Sequence, residues 1–415
     1  MNLSCKKNNI DVLLVVMILA MAFENFKIFN LLGAPIKITH LVFLLAILKS
    51  LFWKIAKQQF TLKSLSLLFL WCAIPLLPVY RLADTTEFFK TYMVYLIMVF
   101  FMTFSYSDYY KRFEENQKKY IYLFLWMMLI IQILGIIQFI CMNFFDYFFL
   151  EGIWGSFQFH SSIFGMQSGL YRAYSIFHEP SLFGWMSTTS FAICIYVKRK
   201  NYLKRFYFYL FQLFNLIAVG VSVSASSLIM LLIIYIVSII LESKKPVNFM
   251  VNIILGLIVC GLLWRFTHIF DSLGRVNNEF SRSGTSGYER LNTPFKYVVS
   301  TLENYPLLGR GLGQEGSIDN VGVIGLYKGV NNSLFGIFVN LGLSAIIYLS
   351  YFIYYFIRKL RYSRDYLLLI IALFGIYVST GAYIALDTFV VFVFVLFIGD
   401  LTQKNKQHLI VKRGN

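Results

Sequence analysis

Residues Tyr120 to Phe145 read YIYLFLWMMLIIQILGIIQFICMNFF, 26 positions without a formal charge. A helix needs about 20 apolar residues to cross the hydrocarbon core of a bilayer, so this run can span with some tilt. Outward from it the same pattern recurs. Apolar runs lie before it at about Ile10–Ile28, Ile38–Trp53, Ser64–Tyr80 and Tyr92–Tyr106. After it come Ser181–Val197, Phe206–Ser222, Ala225–Leu241, Val247–Trp264, Ser333–Phe356, Tyr366–Ile384 and Leu386–Leu401. Twelve spans are therefore expected in a chain of 415 residues. The first run lacks a small-residue cleavage site and reads as a span, not as a leader.

Composition points the same way, since 58% hydrophobic and 14% charged residues leave too little polar surface to cover a soluble globule. A soluble enzyme, a disordered chain and a secreted disulfide scaffold are excluded. The five cysteines are widely spaced, with neither paired-ligand nor disulfide-framework spacing. The expected fold class is an all-α polytopic integral membrane protein, a single transmembrane domain over residues 1–415.

The net charge of +17 would suggest nucleic acid in a soluble protein, but here its location matters more. Assigning the connections alternately to two sides puts 25 Lys and Arg on one side and 12 on the other. The basic-rich connections are short and adjoin the spans, so they and both termini are expected to be cytoplasmic. No nucleic-acid partner is expected. The opposite face carries the two long connections, 146–180 and 265–332. Loops of that length are uncommon unless they form a site.

The second loop interleaves ten glycines with five Arg and two Lys. Within it Leu291, Phe295, Val298, Val299 and Leu302 recur at helical spacing, which predicts an amphipathic helix along the membrane interface. Pro294 is expected near its beginning and Tyr305-Pro306 at its end. The following run, Pro306 to Gln314, lacks the strand–turn–helix context of a nucleotide fingerprint. It reads as a turn that exposes backbone N–H groups and presents Arg310 to a phosphate or sugar. The first loop ends on Arg172, His178 and Glu179 directly before a span, with Pro180 at a first-turn position. Glu179 suits a helix start equally with the role of proton acceptor for a sugar hydroxyl. Arg172 suits a headgroup anchor equally. Val221 to Ser227 reads as a tight hairpin between two spans, its small residues allowing close approach.

Three blocks resemble the O-antigen polymerase and ligase superfamily. They are Arg172–Gly184 (RAYSIFHEPSLFG), Glu289-Arg290 through Asn304–Gly313 (NYPLLGRGLG), and Asn331–Leu343 (NNSLFGIFVNLGL). The resemblance lies in their order, spacing and membrane side and covers under half of the chain. It implies a GT-C-like fold in a bacterial inner membrane, and an enzyme without metal or cofactor. Such an enzyme takes glycans linked to undecaprenyl diphosphate and passes the growing chain to a new repeat unit at the outer surface. It further implies His178 and Glu179 as catalytic residues, and Arg172, Arg290, Arg310, Asn331 and Asn332 as substrate-binding residues. Membrane lipids and a chain-length regulator protein are the other implied partners.

Asn331 stands where ligases of the superfamily carry His, and the serine cluster near Ser224 lacks the Arg that often follows it in relatives. Both departures favour a Wzy-type polymerase over an O-antigen ligase, which stays as the alternative. From another class, a lipid-linked glycan flippase would carry polar groups near the bilayer midplane and internal repeats, and neither is evident.

Overall fold

The computed structural model describes residues 10–23, 27–31, 34–57, 62–148, 166–167, 170–177, 179–242, 286–314, 330, 332–379 and 384–414. His178, Asn331, the expected span Val247–Trp264 and much of both long connections lie outside the described residues.

The described chain is helical apart from two small antiparallel hairpins, β1 (Lys27–Leu31) with β2 (Ala34–Lys37) and β3 (Met166–Gln167) with β4 (Leu170–Tyr171). The first six helices are α1 (Val12–Ala20), α2 (Ile38–Ala56), α3 (Leu62–Ala73), α4 (Thr85–Phe100), α5 (Tyr106–Glu115) and α6 (Gln117–Phe144). Then follow α7 (Pro180–Arg199), α8 (Arg205–Val221), α9 (Ala225–Glu242) and α10 (Ser286–Asn304). The last are α11 (Ser333–Leu341), α12 (Ala345–Tyr362), α13 (Tyr366–Ser379) and α14 (Leu386–Gly414).

Among the described residues five helical stretches are long and apolar enough to cross a membrane: Ile38–Ala56, Thr85–Glu115, Gln117–Phe144, Ala225–Glu242 and Ser333–Tyr362. Shorter apolar helices cover Val12–Phe23, Leu68–Arg81, Arg205–Val221, Tyr366–Val378 and Thr388–Leu401. The protein is thus an all-α membrane protein, with five such stretches and five shorter apolar helices among its described residues.

Two expected spans differ in detail. The first stops at Phe23, because the chain enters the β1–β2 hairpin from Lys27. The stretch from Ser333 is broken by a 3-10 turn at Gly342–Ser344. There Leu343 and Ser344 donate their N–H groups to Pro306 and Leu307 rather than to the helix.

The core is organised around α7. Its residues from Pro180 to Val197 are all buried, and it packs against α6, α8, α9 and α13. A helix buried on every side needs no amphipathic stripe, and α7 carries Ser and Thr among its apolar residues. Thr188 and Thr189 donate to the carbonyls of Gly184 and Trp185 one turn back, which satisfies their hydroxyls without water. Lipid tails are as apolar as the side chains, so close packing has to supply the cohesion between helices. Gly184 shows it: a Cβ there would come within 2.5 Å of Ser227 Oγ and 2.7 Å of Ser222 Oγ.

The basic residues separate into two ends of the bundle. Asp11 joins Lys49 and Arg112, Asp365 joins Arg199 and Lys200, and Asp400 joins Lys359. All of these cations come from the basic-rich set. At the other end Arg81, Arg172, Arg290 and Arg310 gather around the serine hairpin and the segment after α10.

Candidate active site

The site is assembled on the first turn of α7. Asn143 near the end of α6 holds Tyr171 on both sides, its Oδ1 accepting the Tyr171 N–H at 2.8 Å and its Nδ2 donating to the Tyr171 carbonyl at 3.0 Å. Gln138, one turn earlier, accepts the N–H groups of Tyr174 and Ser175 at 3.0 and 2.7 Å. The polar residues inside the long apolar run of α6 thus fasten the segment that carries Arg172. Arg172 donates from Nε to the Ser222 carbonyl at 3.2 Å, and Ala173 donates its N–H to Val221 at 3.0 Å. The chain from Val221 to Ala225 forms the expected tight hairpin, with Val223 in the left-handed region at φ 45°.

Pro180 occupies the first turn of α7 as expected. Glu179 stands at the N-cap position, yet its carboxylate caps none of the first-turn N–H groups. Its side chain sits half-buried beside the positive end of α7. Ser181, two residues on, is the meeting point of three elements. Ser227 of α9 donates to its carbonyl at 3.4 Å, and Arg290 of α10 donates from Nη2 to its hydroxyl at 3.3 Å. Arg290 is thereby brought to the start of α7 where Glu179 stands, and Arg172 reaches the same end of α7 through the hairpin whose Ser222 and Ser227 pack on Gly184.

The expected amphipathic helix is α10, with two apolar faces instead of one. Tyr297 and Val298 turn inward, together with Thr293 and Thr301, while Leu291, Val299 and the 56%-exposed Phe295 face outward. Pro294 lies in mid-helix, not near the beginning, because α10 starts at Ser286. A proline has no N–H to offer the carbonyl four residues back, and that carbonyl belongs to Arg290. Asn332 fills the gap, donating from Nδ2 to the Arg290 carbonyl at 3.0 Å. Its Oδ1 accepts the N–H groups of Leu334 and Phe335, capping α11. At 1% exposure Asn332 is a joint between two helices, where contact with sugar hydroxyls was expected.

At the far end of α10 the glycine-containing turn departs from expectation. Arg310 and Gly311 donate their N–H groups to the carbonyls of Val339 and Asn340 at 2.8 and 3.0 Å, and Gly309 donates to Tyr305. The first two cap the end of α11, the third closes the turn after α10, and none of them faces an anion. Gly309 is required there by φ +64° and by a would-be Cβ 2.5 Å from the Asn340 and Gly342 backbones. Asn332 at one end and this turn at the other fix α10 and α11 side by side and parallel. Gln314 then anchors the turn to the start of α4, accepting from Ala83 and Asp84 and donating to Asp84.

Arg310 is presented by its side chain alone. Nε and Nη2 donate to Thr301 Oγ1 at 3.0 Å and Ser300 Oγ at 3.1 Å, and burial pulls the guanidinium pKa down. Ser300 lies ten residues after Arg290 on α10, about 15 Å along a helix. Arg310 is therefore not part of the cluster at α7. Beside it stands Arg81, which sequence reading counted only as an outer-face charge. Its one signal was its place directly after the apolar run ending at Tyr80. Among the described residues no group of His, Cys, Asp and Glu could hold a metal ion.

No curated protein matches the chain. A family model described as WcaD colanic acid polymerase does, over residues 9–399, which include Arg81, Arg172, Glu179, Arg290, Arg310 and Asn332. A match over nearly the whole chain means that the chain belongs to the WcaD colanic acid polymerase family.

Proposed function

We propose that the chain polymerises oligosaccharide repeat units carried on undecaprenyl diphosphate. It transfers the growing glycan to a newly arrived lipid-linked unit at the outer face of a bacterial inner membrane. The observation that carries this reading is the meeting of Arg172, Glu179 and Arg290 at the start of α7, inside the region matched by a polysaccharide polymerase family. In this mechanism a hydroxyl of the new unit attacks the anomeric carbon of the growing chain, and the bond to the diphosphate breaks. Arg172 and Arg290 hold the diphosphate and stabilise the charge that develops on it as it leaves, as bidentate guanidinium donors do. Glu179, with His178 beside it in sequence, receives the hydroxyl proton. Arg310 and Asn331 contribute to holding the glycan, and Asn332 acts through α10 and α11 as a positioning residue. Twelve spans with both termini in the cytoplasm complete the topology.

The test is reconstitution of the full-length protein in nanodiscs with a lipid-linked repeat unit, alone or together with a lipid A-core acceptor. A ladder of products on a gel is the expected result, lost in Arg290→Ala and Glu179→Gln. Wild-type protein that makes no product larger than one unit, but attaches glycan to a lipid A-core acceptor, would identify a ligase instead.

A further inference from the structure

We propose that Arg81, Tyr305 and Arg310 form a second anion site, one for the phosphate-bearing headgroup of a lipid, at the opposite end of α10 from Arg290. It rests on the reading of this face as the one that handles lipid-linked glycans.

Arg81 closes the 3-10 segment Ile74–Arg81 that follows α3. Its guanidinium lies 4.5 Å from the centroid of the Tyr305 ring, and that of Arg310 lies 5.6 Å from the same centroid. Packing enforces this meeting. Gly311 has φ +101°, and a Cβ there would reach 2.7 Å from Leu82 Cδ2 and 3.5 Å from Pro78 Cγ, so the turn after α10 presses on the segment that ends in Arg81.

Arg81 donates one Nη2 bond to the Gly309 carbonyl, but its Nε is buried without a hydrogen-bond partner. Leaving such a donor unmade costs about 1–3 kcal/mol. Among the described residues neither Arg81 nor Arg310 has a carboxylate partner. Both guanidiniums lie against one ring with no carboxylate to neutralise them, and a phosphate reached by their remaining N–H groups would supply that charge in the fork geometry arginine favours.

The surroundings point to a lipid and away from a free anion. Next to the cations Tyr80 is 79% exposed and Leu307 67%, with Leu77 also exposed. A cationic pair rimmed by exposed apolar side chains matches an amphiphile with a charged head. Both a polyprenyl diphosphate and a bulk anionic phospholipid have that chemistry.

Native mass spectrometry of the full-length protein, titrated with undecaprenyl diphosphate, phosphatidylglycerol or undecaprenol, tests the site. Arg81→Gln and Arg310→Gln are each expected to weaken binding of a phosphate lipid at least tenfold and to leave undecaprenol unchanged. Loss confined to undecaprenyl diphosphate identifies the lipid-linked glycan as occupant; equal loss with phosphatidylglycerol identifies bulk headgroups. If either variant melts like wild type and still binds both phosphate lipids normally, the site is wrong, whichever variant it is. Polymerisation separates this from the wider reading. A wild-type ladder with unaltered lipid binding in Arg81→Gln sinks only the second site. Weakened binding with no wild-type ladder sinks only the polymerase.

Discussion

The cations at the two ends of the helix bundle are held in different ways. At one end Lys49 and Arg112 share Asp11, Arg199 and Lys200 share Asp365 with Glu242 adding a contact to Arg199, and Lys359 is paired with Asp400. Asp400 also accepts from the hydroxyls of Tyr106 and Tyr355 at 2.7 and 3.0 Å, so α5, α12 and α14 meet on one carboxylate. At the other end Arg81, Arg290 and Arg310 donate, among the described residues, to hydroxyls and carbonyls and to no carboxylate. The exposed pair of Lys90 and Glu87 within α4 is the exception there. A carboxylate neutralises its partner and locks two helices together; a neutral oxygen orients a guanidinium and leaves its charge for something else. One end holds helices together through neutralised charges, and the other keeps its guanidinium charge.

The comparison can be broken most severely at Lys359, which is 5% exposed. Removing one member of a buried pair leaves the other uncompensated, at a cost of about 3–5 kcal/mol. Lys359→Ala is therefore expected to lower the melting temperature strongly and to retain polymerisation per folded molecule. A variant that melts normally but makes no polymer would reverse the roles of the two ends. Next comes Arg290→Ala, with polymerisation reduced on the order of 10²–10³-fold and little change in melting. A large loss of stability in that variant would make Arg290 a structural residue.

Asn332 gives a smaller and more discriminating effect. Asn332→Ala loses a helix cap worth about 1 kcal/mol and deprives the Arg290 carbonyl of its donor, worth about 1–3 kcal/mol. Asn332→Asp keeps the cap and loses only the donor, so its melting point should fall between wild type and alanine. Equal melting of the two variants would show that the contact with α10 carries all of the effect. The smallest change belongs to Lys49→Ala. Half of that side chain is exposed, and a denaturation curve should move by under about 1 kcal/mol.

The helices were readable because a bilayer punishes unpaired polar groups, so a charge-free run as long as Tyr120–Phe145 has few other fates. The hairpin at Val221–Ser227 and the helix around Arg290 were readable for local reasons, small polar residues in one and apolar spacing in the other. Pro294 misled, because the penalty for a mid-helix proline is offset by Asn332, 38 positions away in the sequence. The glycines at 309, 311 and 313 were recognisable as a turn. That the backbone donors of Arg310 and Gly311 are taken up by α11 was not, since nothing near them in sequence identifies the partner.

The sequence by itself determined the membrane class, the division of charge between two ends and the residue types available at each. Those follow from composition and short-range periodicity, which act over a few turns of chain. Only the tertiary structure decided that Arg290 reaches Ser181 while Arg172 reaches Ser222 in the hairpin packed on α7, that Arg310 stands apart from them, and that Arg81 joins it. These choices depend on which helices pack together and on close approaches such as Gly184 to Ser227 and Gly311 to Leu82, and such contacts join residues 43 to 229 positions apart.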